Sequence, residues 1–290
     1  MCAKIIDGKK IAEEIREELK KEILQLKRKN IIPGLATVLI GENLASATYV
    51  RMKQKACEKL GIYNKSIKRP ADISQQELLI IIEGLKKDPK IHGILIQLPL
   101  PEQINEREVI NFIPINKDVD GFHPYNWGKM LLGEDTFLPC TPAGIQEMLI
   151  RSDYSPENKH VVILGRSNIV GLPLANLLSK KKEGANATVT LCHTGTTNLS
   201  FHTKQADILI AAMGHPEMIT CDMVSEKTVI IDVGTNRVED HKSKRGYRLV
   251  GDVHFETVKK KVSAISPVPG GVGPMTITML MKNTIKAAKI

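Results

Sequence analysis

Aromatic side chains are scarce in this sequence, at 4%, and it holds a single tryptophan. A surface that stacks unpaired bases interleaves aromatic and basic residues, so no nucleic-acid partner is expected. Long apolar runs are missing as well. Leu35 to Ile40, and Ile94 to Leu100 with Gln97 inside it, fall far short of the ~18–20 apolar residues that a membrane span requires, so no membrane association is expected. The five cysteines, Cys2, Cys57, Cys140, Cys192 and Cys221, are scattered and form no C-x-x-C pair. Neither a disulfide framework nor a metal site is therefore indicated. The N-terminus lacks an apolar signal core and runs into Glu13, Glu14, Glu17 and Glu18, which transit peptides avoid, so a cytoplasmic location is expected.

What is present is a chain of 290 residues with a formal charge of +9. The length suggests two domains, and the charge favours anionic ligands such as phosphorylated cofactors and polycarboxylates. Ile11, Ile15, Leu19, Ile23 and Leu26 recur at helical spacing, which predicts an amphipathic helix from Lys10 to Lys29. An apolar run from Leu35 to Ile40, a helical segment from Ala45 to Leu60, a strand from Tyr63 to Arg69, a capping-box helix start at Ser74–Glu77 and a buried strand from His92 to Leu98 follow. This alternation predicts parallel strands covered by helices, an α/β fold. From Pro99 to Pro142 the sequence reads as loop-rich, and Thr141-Pro142 reads as the cap and first residue of a helix ending at Arg151. A polar, turn-rich stretch from Ser152 to Asn158 marks a domain boundary. A second alternating series then begins: strand 160–164, helix 170–182, and strands at 187–192, 207–212 and 228–233, a nucleotide-binding type of sheet.

Five segments carry candidate chemistry. Gly165-Arg166-Ser167 ends an apolar strand and leads through Val170-Gly171 into a helix, a turn that aims N-terminal amides at a phosphate. Ser167 stands where the second glycine of G-x-G-x-x-G would be, and an ordinary glycine-ended strand would look similar. The next strand ends in His193-Thr194 without the acid that holds an NAD ribose. With Arg166 in the loop and a hydroxyl at Thr194, a 2′-phosphate and hence NADP is favoured. Tyr49 and Lys53, four apart on one helix face, place a phenol and an amine at the edge of the first sheet, where burial lowers an amine's pKa. Without further context Lys53 reads sooner as one of several solvated lysines beside Lys55 and Lys59. Gln97, a carboxamide within an apolar strand, must find partners in the core or in a pocket. Asp118-Val119-Asp120-Gly121 offers two carboxylates or a plain turn, and Pro267 to Thr276 is a glycine-proline loop of fixed path.

Together these segments resemble the bifunctional methylenetetrahydrofolate dehydrogenase/cyclohydrolase family over essentially the whole chain. The motifs are Tyr49-Val50-x-x-Lys53, Ile96-Gln97-Leu98-Pro99-Leu100, Lys117-Asp118-Val119-Asp120-Gly121, Gly165-Arg166-Ser167-x-x-Val170-Gly171-x-Pro173 and Pro267-Val268-Pro269-Gly270-Gly271-Val272-Gly273-Pro274. The resemblance implies a catalytic folate domain over residues 1–151, completed by a C-terminal helix over 274–290, a Rossmann-type NADP domain over 152–273, an active-site cleft between them, and a homodimer. By the same resemblance Lys53 is the catalytic lysine, Gln97 its hydrogen-bond partner, Tyr49 the tyrosine over the folate ring and Asp120 the residue that holds the pterin. Leu98, Pro269, Gly270, Gly273 and Thr276 join Tyr49, Gln97 and Asp120 as folate-binding positions, and Gly165, Arg166, Ser167, Thr194 and Thr235 as cofactor-binding ones. The implied function is NADP-dependent oxidation of 5,10-methylenetetrahydrofolate and hydrolysis of the methenyl product to 10-formyltetrahydrofolate. An NADP dehydrogenase without the cyclohydrolase step is the alternative. A generic NADP dehydrogenase for another substrate would leave Tyr49, Lys53, Gln97 and Asp120 without a common purpose.

Overall fold

The computed structural model describes residues 2–240, 243 and 246–290. It opens with β1 (Lys4–Ile5) and α1 (Gly8–Arg28), then β2 (Gly34–Ile40), α2 (Leu44–Leu60), β3 (Tyr63–Arg69), α3 (Gln75–Lys87), β4 (Gly93–Ile96), α4 (Glu106–Phe112) and α5 (Pro124–Leu132). There follow α6 (Cys140–Arg151), β5 (His160–Leu164), α7 (Gly171–Ser179), β6 (Thr188–Cys192), α8 (Leu199–Lys204), β7 (Ile208–Ala211) and β8 (Val229–Asp232). The last elements are β9 (Asn236–Glu239), β10 (Tyr247–Val250), α9 (Phe255–Val258), β11 (Ala264–Ile265) and α10 (Val272–Ala287).

Two compact units divide these elements. One holds Glu14–Cys140 with Ile277–Ile290, the other Met1–Glu13 with Thr141–Thr276. The division thus falls between Cys140 and Thr141 rather than at the turn-rich stretch near Ser152. The reason is packing: on α6, Gln146 donates to the Gly184 carbonyl at 2.7 Å and Ile150 lies against Gly184, both contacts within the second unit. The first residues go with that unit because β1 pairs with β11.

In the first unit β2 is the centre of a parallel sheet of order β3-β2-β4. All of β2 is buried while the edge strand β3 exposes its charged residues, as expected for a middle strand covered on both faces. The apolar stripe Ile15, Leu19, Ile23 and Leu26 of α1 is buried. Ala36, Val38, Leu78, Ile82, Ile94 and Val109 form the core beneath α3 and α4, each large side chain adding ~1.5–3 kcal/mol by leaving water. α3 starts on the expected capping box, with Glu77 N donating to Ser74 Oγ and Ser74 N to Glu77 Oε2.

The second unit is built on a six-stranded parallel sheet of order β1-β11-β8-β7-β5-β6. From β5 the chain crosses to β6 on one side and then to β7 on the other, so strand order reverses between β5 and β7. β2, β3 and β4 make the same reversal, between β2 and β4. Such switch points leave a crevice at the carboxyl ends of the strands.

Three local expectations are corrected. The stretch 99–142 contains α4 and α5, the latter entered through Pro124 as its first residue and closed by Gly133 at φ 82. α7 stops at Ser179 instead of Lys182, where the chain turns to extended backbone at Lys180. α6 begins at Cys140, so Thr141 lies inside the helix and its Oγ1 meets Thr276 Oγ1 at 2.9 Å instead of capping.

Candidate active site

At the switch point of the first unit, α2 follows β2 and the segment 97–100 follows β4, and each brings one polar side chain. Lys53, on the third turn of α2, is 7% exposed. Its Nζ donates to Gln97 Oε1 at 3.0 Å, while Gln97 Nε2 donates to the Leu98 carbonyl at 2.8 Å and Gln97 N to Val38 O. The carboxamide therefore has fixed polarity: its donor end is held by backbone, so its oxygen must face the amine. Gln97 is neither a core glutamine nor free, and Lys53 is not a solvated surface lysine.

Asp120 is presented to the same place by a loop whose shape depends on Asp118. That buried carboxylate accepts from Phe122 N at 3.2 Å, His123 N at 2.8 Å and Asn126 Nδ2 at 2.8 Å. Asn126 is held in turn by the Thr136 hydroxyl and the Ile115 carbonyl. Only glycine fits at Gly121, where φ is +73 and a Cβ would stand 2.7 Å from the Leu138 carbonyl carbon. Cys140, buried beside Asp120, has its Sγ 3.4 Å from the Val119 carbonyl oxygen.

Burial works on these groups in opposite directions. Loss of water lowers the pKa of Lys53, an effect that the Asp120 charge, and after it Cys140, partly opposes. Loss of water raises the pKa of Asp120, with Lys53 opposing. Burial also pushes Cys140 well above the ordinary thiol range, which keeps it protonated, and raises half-buried Tyr49 one turn before Lys53. An amine brought down and a carboxyl brought up are closer in proton affinity than the free groups, which suits a pair to exchange protons. Beside them a narrow pocket has a wall of Ile96, Leu98, Leu100, Ile113 and Phe122 with Asp120 among its lining.

The second unit assembles the other candidates at the carboxyl ends of β5, β6 and β8. Gly165 has φ +115, and a Cβ there would stand 2.2 Å from the Ala212 carbonyl oxygen, so β5 and the loop after β7 approach as only glycine allows. At Gly171 a Cβ would stand 1.9 Å from the Gly165 oxygen. The displaced third glycine thus serves the tight helix–strand packing of a dinucleotide turn. Ser167 Oγ accepts from Val170 N at 3.1 Å, which closes the loop where a glycine is missing. Arg166, Thr194 and Thr235 are all exposed. No acid stands at the end of β6, and His193 N is held by Thr196 Oγ1 at 2.9 Å. The open turn, an arginine fork and no competing carboxylate on the second strand fit NADP. Pro269, Gly270, Gly273 and Thr276 also belong to this unit, with Gly270 O accepting from Lys9 N, whereas Tyr49, Lys53, Gln97, Leu98 and Asp120 belong to the first.

Sequence reasoning read Asp118 as a candidate carboxylate or a turn residue and not as the acid that shapes the loop, and it gave no role to Asn126, Cys140, Asp232 or Asp252. The last two are 3% and 0% exposed and take hydrogen bonds from the loops around them. Among the described residues no group of three or more His, Cys, Asp or Glu could hold a metal ion, and no helix is long and apolar enough to cross a membrane.

Comparison with known proteins finds two matching family descriptions. The family description "Tetrahydrofolate dehydrogenase/cyclohydrolase, catalytic domain" matches residues 6–120, and "Tetrahydrofolate dehydrogenase/cyclohydrolase, NAD(P)-binding domain" matches residues 139–290. The chain is 56% identical to the bifunctional protein FolD of Syntrophus aciditrophicus, over 100% of this chain and 99% of the relative. It is 54% identical to that of Bacillus subtilis, with 100% and 99% covered. The crystal structure of FolD methylenetetrahydrofolate dehydrogenase/cyclohydrolase from Campylobacter jejuni superposes with a TM-score of 0.92 at 47% identity, covering 99% of each chain. The FolD enzyme of Trypanosoma brucei, solved with NADP cofactor and inhibitor, gives 0.94 at 38% identity, covering 100% of this chain and 98% of that one.

Proposed function

Because the chain belongs to the tetrahydrofolate dehydrogenase/cyclohydrolase family, we propose that its two sheet-edge sites carry out the family's two reactions in succession. The protein oxidises 5,10-methylenetetrahydrofolate with NADP and hydrolyses the methenyl product to 10-formyltetrahydrofolate. The observation that carries the residue assignment is the Lys53–Gln97 hydrogen bond of 3.0 Å, in a buried setting shared with Asp120.

Bound NADP supplies the hydride acceptor. Gly165, Arg166, Ser167, Thr194 and Thr235 would hold it, Arg166 and Thr194 through the 2′-phosphate, as the glycine cradle and the lack of an acid on β6 allow. The carbon between N5 and N10 gives up hydride readily because both nitrogens stabilise the cation left behind, so the protein's part is chiefly placement. In the first unit Asp120 holds the pterin, Tyr49 covers its ring and Leu98 lies in the folate-binding segment; in the second, the family resemblance makes Pro269, Gly270, Gly273 and Thr276 folate-binding positions.

Hydrolysis needs more of the chain. Water adds to the methenyl carbon and loses a proton, which leaves a neutral carbinolamine; its hydroxyl then gives its own proton to solvent as the formyl C=O forms, and the bond to N5 breaks as N5 gains a proton. Lys53 takes the first proton in its neutral form, which burial favours, and returns it as an ammonium. Gln97 fixes the Nζ by accepting one of its hydrogens, and Asp120 sets how readily the amine is reprotonated. The surplus of positive charge suits both the cofactor phosphates and the glutamate tail of folate.

The same reading makes the protein a cytoplasmic homodimer, on the strength of the family resemblance. Sedimentation of the purified protein checks the oligomer. For the reactions, the protein is incubated with 5,10-methylenetetrahydrofolate and NADP, and the methenyl absorption band and 10-formyl product are followed. Both should appear, and absence of methenyl product under any nicotinamide cofactor would overturn the assignment.

A further inference from the structure

Asp252, in the turn between β10 and α9, is fully buried, yet all the loop donors it accepts from come from the carboxyl edge of the sheet. Its Oδ2 accepts from Met213 N at 2.6 Å and Gly214 N at 3.0 Å, in the loop that follows β7. Its Oδ1 accepts from Asn236 Nδ2 at 2.9 Å, at the end of the loop that follows β8. Asp232 locks the acid itself in place: Oδ1 accepts from Asp252 N and Gly234 N, and Oδ2 from Val253 N, at 2.9–3.0 Å. Two glycines leave room for this packing. A Cβ on Gly234 would stand 2.3 Å from Asp252 Oδ1, and one on Gly251 would stand 1.8 Å from Asp232 Oδ2.

The clamped loops are those that border the switch point. The loop after β7 is the far wall of the crevice opened by Gly165, where a Cα hydrogen stands in place of a Cβ that would clash with Ala212 O. Residues 214–216 are exposed, and a Cβ on Gly214 would meet no atom within 4 Å. A trans peptide carries its C=O opposite its N–H, so pinning Gly214 N–H to Asp252 turns the Met213 carbonyl away from the acid. A carboxylate that accepts from two consecutive amides therefore leaves carbonyl oxygens, not those amides, for a ligand. An oxidised nicotinamide, with a cationic ring and a donating carboxamide, requires acceptors of that kind.

We infer that Asp252 is a positioning residue for the nicotinamide half of NADP, acting through Met213, Gly214 and Asn236 without touching the cofactor. The inference rests on the function proposed above and adds to it the residue that shapes the acceptor side of the crevice. It separates the two activities, because hydrolysis of supplied methenyltetrahydrofolate needs no nicotinamide.

The test uses the full-length protein and Asp252→Ala, with Asp252→Asn as the conservative variant. The asparagine can keep Met213 and Gly214 on its oxygen while the Asn236 amide turns over to accept from its NH2. Amide hydrogen exchange without ligand should speed up at least about tenfold over 212–216 in the alanine variant. NADP binding by calorimetry should weaken about tenfold or more, while adenosine 2′,5′-bisphosphate, which lacks the nicotinamide, stays within about twofold. Cyclohydrolase without cofactor should also stay within about twofold, and the asparagine variant should recover most of the NADP affinity. If the alanine variant does not fold, Asn236→Ala, which removes one of the three donors, carries the same comparisons with a smaller expected loss. Equal weakening of NADP and the bisphosphate, or unchanged exchange over 212–216, would overturn the inference. A wild-type protein that fails to bind NADP would instead overturn the function on which it rests.

Discussion

Replacing Lys53 by methionine keeps an apolar stem of similar length and removes the one group placed to move the proton in hydrolysis. A positioned general acid/base is worth roughly a hundred- to ten-thousand-fold in rate, or ~2.7–5.4 kcal/mol at 1.36 kcal/mol per decade. Stability should change much less. The native state already disfavours the ammonium, since burial lowers its pKa, so methionine removes a desolvation cost along with the hydrogen bond to Gln97. Nor is Asp120 left as an uncompensated buried anion. Its pKa is already raised, and loss of the neighbouring positive charge raises it further, so it takes up a proton. The assay is hydrolysis of supplied methenyltetrahydrofolate by purified Lys53→Met, corrected for the spontaneous reaction, beside thermal unfolding and folate and NADP binding. We expect a loss of at least a hundredfold with both ligands bound and the melting temperature within a few degrees. Hydrolysis within about threefold of wild type would refute the reasoning and move the proton transfer to Tyr49, Asp120 or water.

Other consequences follow from the same physics. The Asp120 charge raises the Lys53 pKa, so Asp120→Asn should move the rising limb of the cyclohydrolase pH profile to lower pH; a limb that moves up would contradict the coupling. Arg166→Ala should raise the KM for NADP far more than that for NAD, and equal effects would show that Arg166 does not read the 2′-phosphate. Asp232 has a folded pKa raised from 3.8 to about 7. Its contribution to stability is therefore full below about pH 4 and lost as pH rises to about 7, some 4 kcal/mol in all at 1.36 kcal/mol per unit. The stability difference between wild type and Asp232→Asn, measured by urea unfolding across that window, should change by a quantity of this order, and a difference independent of pH would refute it.

Much of this architecture is legible in the sequence because buried parallel strands leave continuous apolar runs. Leu35 to Ile40, Val161 to Leu164 and Val229 to Ile231 can be read directly, and α1 announces itself through its apolar stripe. The short helices α4 and α5 are not so legible, since prolines and glycines crowd their flanks and each is under three turns. Neither is the antiparallel pair β9 and β10, short strands that are mostly exposed or half-exposed and carry charges. The unit boundary escapes because a continuous helix, α6, runs across it, while turn residues mark a surface loop inside the second unit. At the site, helical spacing puts Tyr49 and Lys53 on one face, but only the fold joins Lys53 to Gln97 across the switch point. Buried acids such as Asp118 and Asp252 have no periodic signature at all. Their signal is a carboxylate next to glycine or within a tight turn, which a solvated turn gives equally.

The central claim is that one chain moves a hydride from the folate methylene carbon to NADP and then hydrolyses what remains. The most direct measurement starts from 5,10-methylenetetrahydrofolate carrying two deuterium atoms on that carbon, incubated with the purified protein and NADP, with products resolved by mass spectrometry. The account predicts one deuterium on the reduced nicotinamide and one in the formyl group of 10-formyltetrahydrofolate, in equal amounts. Reduced cofactor without label, or labelled cofactor accompanied by methenyltetrahydrofolate that is converted no faster than in the absence of protein, would contradict it.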